Sequence, residues 1–148
     1  MNRSPSHLAR RAVSSWSRAQ LSITEIDRVR QVLLPAEMSL WLLQQSRDQR
    51  HSVAVWNRFV ASYNHATIDE QRAALLHDLG KSMSNVGWLG RIVATLIGGR
   101  TKNLQKYLDH EHVGVEMLQG VSSARTLEIL SGTASDSAAL AIFAADDA

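Results

Sequence analysis

The side chains able to do chemistry in this 148-residue chain are six histidines set among aspartates and glutamates, with no cysteine beside them. Without thiolate there is no cysteine nucleophile, no disulfide framework and no sulfur metal site. Imidazole with carboxylate is a borderline-to-hard ligand set. It suits Mn, Fe, Co, Ni or Zn, and Mg where water fills the shell. Such an ion orients a phosphoryl oxygen and lowers the pKa of a bound water towards neutrality.

Two of the histidines have the spacing to share one ion. His51 falls one turn into a helix read from Ser46 to about Tyr63, and His77 near the end of a helix read from Thr67 to Leu79. If these helices fold back about His65, His51 stands fourteen residues before the turn and His77 twelve after it. At about 1.5 Å of rise per residue their heights differ by roughly 3 Å. Packed helix axes lie about 8–10 Å apart, so the two imidazoles can meet. Asp78 follows His77 about 100° further round the helix and can reach the same ion from the side. Of the other histidines, His65 reads as a loop residue, His7 as part of the N-terminal arm and His112 as surface.

Helices must hold these positions, and the chain reads as helical from Leu21 onward. Ser22 with Glu25 fits a capping box, and Ile26, Val29 and Leu33 share a face. Pro35 can open a second helix, in which Met38, Trp41 and Leu42 form an apolar stripe. Ser46 is placed to cap a third, with Val53, Trp56, Phe59 and Val60 on its apolar face. Thr67 with Glu70 makes another capping box, and Gly80 is placed to end that helix. An apolar helix is expected between Gly87 and Gly98, then shorter ones over 102–109, 111–119, 123–131 and 136–146. Trp41, Trp56 and Trp88 fall at helical spacing among apolar neighbours and are assigned to the core. No stretch alternates with period two. The fold class is therefore all-α, a single bundle of about seven to nine helices joined by short loops.

Composition agrees, with 45% apolar and 20% charged residues, as in a globular chain. Residues 1–20 read as a mobile basic arm carrying Arg3, Arg10, Arg11 and Arg18, and residues 21–148 as one domain. The net charge of +2 does not mark a nucleic-acid binder, and nucleic acid is not an expected partner. The longest apolar stretch, Val86 to Gly98, is interrupted by Arg91 and too short to span a bilayer. No apolar run follows the basic start, so a cytoplasmic location is expected. Arg91, Arg100, Lys102 and Lys106 form a run without acids. It is either an exposed basic edge or a mouth that draws in an anionic substrate, with Arg100 and Lys102 as phosphate contacts.

The string His77-Asp78-Leu79-Gly80-Lys81 goes further than a His-Asp pair. HDxGK arises by chance on the order of a few times in ten thousand chains of this composition. Three other segments accompany it: Asp48-Gln49-Arg50-His51-Ser52, Tyr107-Leu108-Asp109-His110-Glu111-His112-Val113-Gly114, and Ala144-Ala145-Asp146-Asp147. On these four places the chain resembles the HD-domain superfamily, all-helical metal-dependent phosphohydrolases named for the adjacent His-Asp. It is most similar to small bacterial stand-alone members of the HDIG type, over about residues 21–148.

The resemblance implies that His51, His77, Asp78 and Asp146 hold one divalent metal, with open positions left for water and substrate. Asp147 competes with Asp146, which is preferred because it directly follows the alanine, as in the family's pattern. Asp78 and Lys81 are implied as catalytic residues, with Lys81 facing substrate phosphate or holding the Asp78 side in place. His110 corresponds to an added ligand for a second metal in related proteins. The His-His pair that follows in many of them is missing from Leu127–Ser137, so His110 is assigned behind the ligands or facing substrate. The GYP extension of the cyclic-di-nucleotide phosphodiesterases is also absent. The implied activity is hydrolysis of a phosphomonoester or phosphodiester, of a nucleotide by preference, through a metal-activated water. The alternative is a regulatory module that binds metal and nucleotide without turnover.

Overall fold

In the computed structural model residues 19–80 and 115–148 are described, and every regular element among them is an α-helix. The fold is all-α. In chain order the helices are α1 (Ile23–Val32), α2 (Pro35–Leu42), α3 (Ser46–Ser62), α4 (Ile68–Leu76), α5 (Ala124–Leu130) and α6 (Ser137–Asp147). The expected arm lies outside the described residues except for its last two positions. Trp88 and the expected helices over 87–98 and 102–109 also lie outside them, and of 111–119 only the part from 115 is described. No helix among the described residues is long and apolar enough to cross a membrane.

Local chemistry sets where several helices begin. At α1, Glu25 N donates to Ser22 Oγ at 3.2 Å and Ser22 N donates to Glu25 Oε2 at 2.8 Å. At α4, Thr67 N donates to Glu70 Oε2 at 2.9 Å and Glu70 N donates to Thr67 Oγ1 at 3.3 Å. Each pair satisfies two N–H groups that the helix itself cannot. Pro35 opens α2, where its missing N–H costs nothing. Asp136 caps α6 by accepting from Ala139 N at 3.1 Å. At the end of α5, Gly132 adopts a φ of 74°, which lets its N–H reach Ile129 O and Thr133 N reach Glu128 O, both at 3.1 Å. That left-handed step ends the helix, and glycine takes it without a Cβ penalty.

The structure departs from the sequence reading at three places. Gln45, not Ser46, is the residue before α3, in an extended conformation, and Ser46 is already helical. Asp48 in the first turn supplies the negative charge a helix start favours. Leu42 is 46% exposed, whereas Leu40 is buried, because α2 turns Glu37, Met38, Leu40 and Trp41 inward. The helix from Thr67 stops at Leu76 rather than running on to Leu79. His77 and Asp78 form a turn, and Leu79 and Gly80 are helical again. At this break the His77 ring turns back on the helix, with Nδ1 2.8 Å from the Ala74 carbonyl.

α3 and α4 form a hairpin through the short connection 63–67. Phe59 of α3 and Leu75 and Leu76 of α4 are almost fully buried, as is Leu79 just beyond. The indoles that enter this core keep partners. Trp41 Nε1 donates to Ser52 Oγ at 2.9 Å, and Trp56 Nε1 donates to Gln71 Oε1 at 3.1 Å. α5 lies on α4, where Thr126 Oγ1 donates to Asp69 O at 3.0 Å. α6 runs antiparallel to α3. Its start meets the end of α3 through Ser137 Oγ and Tyr63 Oη at 3.2 Å, and its end meets His51. Ala138, Ala139, Ile142 and Ala145 are its buried residues.

Candidate metal centre

Three segments converge on one point. α3 presents His51, the turn after α4 presents His77 and Asp78, and the last turn of α6 presents Asp146. One nitrogen or oxygen from each lies within 4.8 Å of every other. The His51 and His77 ring centroids are 5.4 Å apart and the rings are tilted by 57°. His51 Nε2 lies 2.8 Å from Asp146 Oδ1 and 3.6 Å from Asp78 Oδ2. His77 Nε2 lies 3.3 Å from Asp146 Oδ1 and 3.6 Å from Asp78 Oδ2.

The His77 tautomer follows from its other nitrogen. Nδ1 is 2.8 Å from Ala74 O, and a carbonyl only accepts, so Nδ1 carries the proton. In the neutral ring Nε2 then has a free lone pair. That atom is buried and makes no hydrogen bond. Asp146 Oδ1 stands 3.3 Å from it, a contact that becomes an ion pair only when Nε2 takes up a proton. A buried ring nitrogen facing two carboxylates, with its partner nitrogen anchored to a backbone carbonyl, is the arrangement of a metal-ligating histidine.

Charge in the metal-free chain accords with this crowding. Burial works against a charged His77 ring, but the carboxylates of Asp146 and Asp78 outweigh it, and His77 titrates above the ordinary imidazole value. The His77 ring, helped by His51, holds the Asp146 carboxyl well below the usual carboxylate range despite its partial burial. Metal–ligand bonds of about 2.1 Å keep ligand atoms no more than roughly 4.2 Å apart. A contraction of about half an ångström therefore brings this set around one ion. The residues present fit a divalent metal. His51 and Asp146 form the open side, with 35% and 31% of their side chains exposed, against 12% for His77.

Asp147, the competitor of Asp146, is exposed and outside the group. Lys81, His110, Arg100 and Lys102 lie outside the described residues, as do Arg91 and Lys106. One neighbour went unread in the sequence. Arg58 Nε donates to Ala145 O at 2.7 Å, next to the Asp146 peptide. The available signal was its position seven residues after His51, on the same face of one helix.

The chain matches no family model, no curated protein and no solved structure.

Proposed function

We propose that this chain is a metal-dependent phosphohydrolase of the HD type. It would hydrolyse a phosphomonoester or phosphodiester, with a nucleotide as the preferred substrate class. The observation that carries the reading is His77 Nε2, buried without a hydrogen bond at the meeting point of His51, Asp78 and Asp146. The HDxGK string supplies the link to phosphate chemistry.

A divalent ion bound there would supply Lewis acidity, acidifying a water and polarising a phosphoryl oxygen. Four protein ligands fill a tetrahedral shell but leave two places in an octahedral one. An octahedral Mn, Fe, Co or Ni ion would thus keep places for water and substrate, Zn would need to expand its shell, and two imidazoles make Mg the poorest fit. His77 is held in ligating orientation by the Ala74 carbonyl. Asp78, between both rings, is placed to accept the proton given up by the attacking water. The new P–O bond would form as the ester P–O bond breaks, and the departing alkoxide would take up the proton held by Asp78 and leave as the alcohol. Lys81, the last residue of the string, is assigned to substrate phosphate.

The test is His77→Ala in a screen of phosphomonoesters and phosphodiesters with each candidate metal. Loss of both metal binding and turnover is expected. Hydrolysis retained by that variant would overturn the reading. Saturable nucleotide binding by wild-type protein with no product would replace it with a regulatory binding module.

A further inference from the structure

We propose that Arg58 is a positioning residue for the metal centre: by holding the Ala145 carbonyl it fixes the last turn of α6, so that Asp146 already faces His51 and His77 before an ion arrives. The inference rests on the metal-centre reading above.

Asp146 is the ligand most in need of such help. His51 sits well inside α3, and His77 is tied to Ala74 O. Asp146 instead occupies the final turn of α6, which ends at Asp147. The last four carbonyls of a helix have no intrahelical partner, and such turns fray. A ligand on a fraying turn must be ordered when metal binds, which lowers affinity. α6 carries no basic residue in that turn to complement its carbonyls. The cation comes from α3 instead.

The geometry of α3 explains how one helix can do both jobs. Seven residues are nearly two helical turns, so His51 and Arg58 lie on one face. Side chains on a helix lean towards its N-terminus, which carries the Arg58 guanidinium back towards His51. Arg58 Nε takes Ala145 O at 2.7 Å, and His51 Nε2 meets Asp146 Oδ1 at 2.8 Å. Consecutive residues of α6 are thus gripped from one face of α3. A guanidinium at a helix C-terminus also matches the dipole there. Arg58 offers only donors and cannot itself ligate a metal.

Charge alone makes the opposite forecast. A cation near a cation site repels the ion, so removing Arg58 would strengthen binding if charge were its main effect. Positioning requires that removal weaken it.

The experiment titrates the metal-free full-length chain with Co(II), read by competition with a chromophoric chelator and by the visible absorption of the bound ion. Arg58→Met should weaken Co(II) binding about tenfold or more, the usual cost of removing a group that orients a ligand. It should also alter the Co(II) spectrum, while the far-ultraviolet circular dichroism stays that of wild type. Arg58→Lys, which keeps a cationic donor, should recover part of the loss. In an Asp146→Ala background Arg58→Met should cost less than about twofold, because the residue through which it acts is gone. If Arg58→Met does not fold, Arg58→Gln carries the same comparison. Wild-type affinity in the Arg58 variant, tighter binding, or an undiminished loss in the Asp146→Ala background would each overturn this inference alone. A wild-type chain that takes up no ion would overturn the metal-centre reading and this inference with it.

Discussion

His51 Nε2 and Asp146 Oδ1 lie 2.8 Å apart although 95 positions separate them in the chain. In the metal-free chain this contact is a hydrogen bond that uses a proton on Nε2. A bound ion would replace that proton, because the same lone pair cannot serve both. The contact also joins α6 to α3, so metal binding and the docking of α6 are linked.

Metal should therefore stabilise the fold. An ion at a hundred times its dissociation constant adds about 2.7 kcal/mol if it binds only the folded chain. For a chain of this size that raises the thermal midpoint by roughly 5–10 °C. Differential scanning with and without Mn(II) or Co(II) should show the rise in wild type and none in His77→Ala. An equal rise in both would place the binding elsewhere.

Leu40 and Leu42 offer a test of how α2 is oriented. Leu40→Ala removes a buried side chain and should cost about 2–4 kcal/mol. Leu42→Ala trims an exposed one and should cost less than about 1 kcal/mol. Urea unfolding of the metal-free variants would measure both. The reverse order would mean that Leu42 rather than Leu40 faces the core beside Met38 and Trp41.

Arg125 links the bundle in a pH-dependent way. Its Nη2 meets Glu70 Oε1 at 2.8 Å and its Nη1 meets Asp136 Oδ2 at 2.7 Å. Burial raises the Glu70 pKa, but Arg125 and the Thr67 donors outweigh it and hold the carboxyl below its ordinary value. Arg125, with the Ala139 N–H, does the same to Asp136. Both carboxyls thus titrate lower folded than unfolded. Their contribution is complete above the unfolded carboxylate range and is lost as pH falls through the depressed folded values. Arg125→Met, which leaves the buried Glu70 without its cation, should cost about 1–3 kcal/mol near neutrality. The gap to wild type should narrow as pH falls from about 5 towards 3. Urea midpoints across that range would measure it. A constant gap would mean that Arg125 contributes by packing alone.

What could be read from the sequence was what depends on neighbours in the chain. The capping boxes at Ser22–Glu25 and Thr67–Glu70 involve partners three residues apart, and both are formed. The height match of His51 and His77 needed only the fixed helical rise and one short turn. Boundaries were harder, since Ser46 and Gln45 differ only in which backbone is extended. The turn at His77 and Asp78 falls where no glycine or proline marks it, so no propensity records it. Asp146 entered only through the resemblance, because nothing local says that α6 returns to α3. Arg58 was missed for the same reason: its spacing of seven from His51 puts both on one face of α3, but nothing local says which carbonyl, 87 positions away, that face will meet.

The most direct measurement is metal content per chain by elemental analysis, on untagged protein purified without chelator and then reloaded with each candidate ion. The expected result is about one equivalent of a divalent metal in wild type, almost none in His77→Ala, and weakened but measurable uptake in Asp146→Ala. No ion retained by wild type, whichever metal is supplied, would contradict the claim that His51, His77, Asp78 and Asp146 form a metal centre.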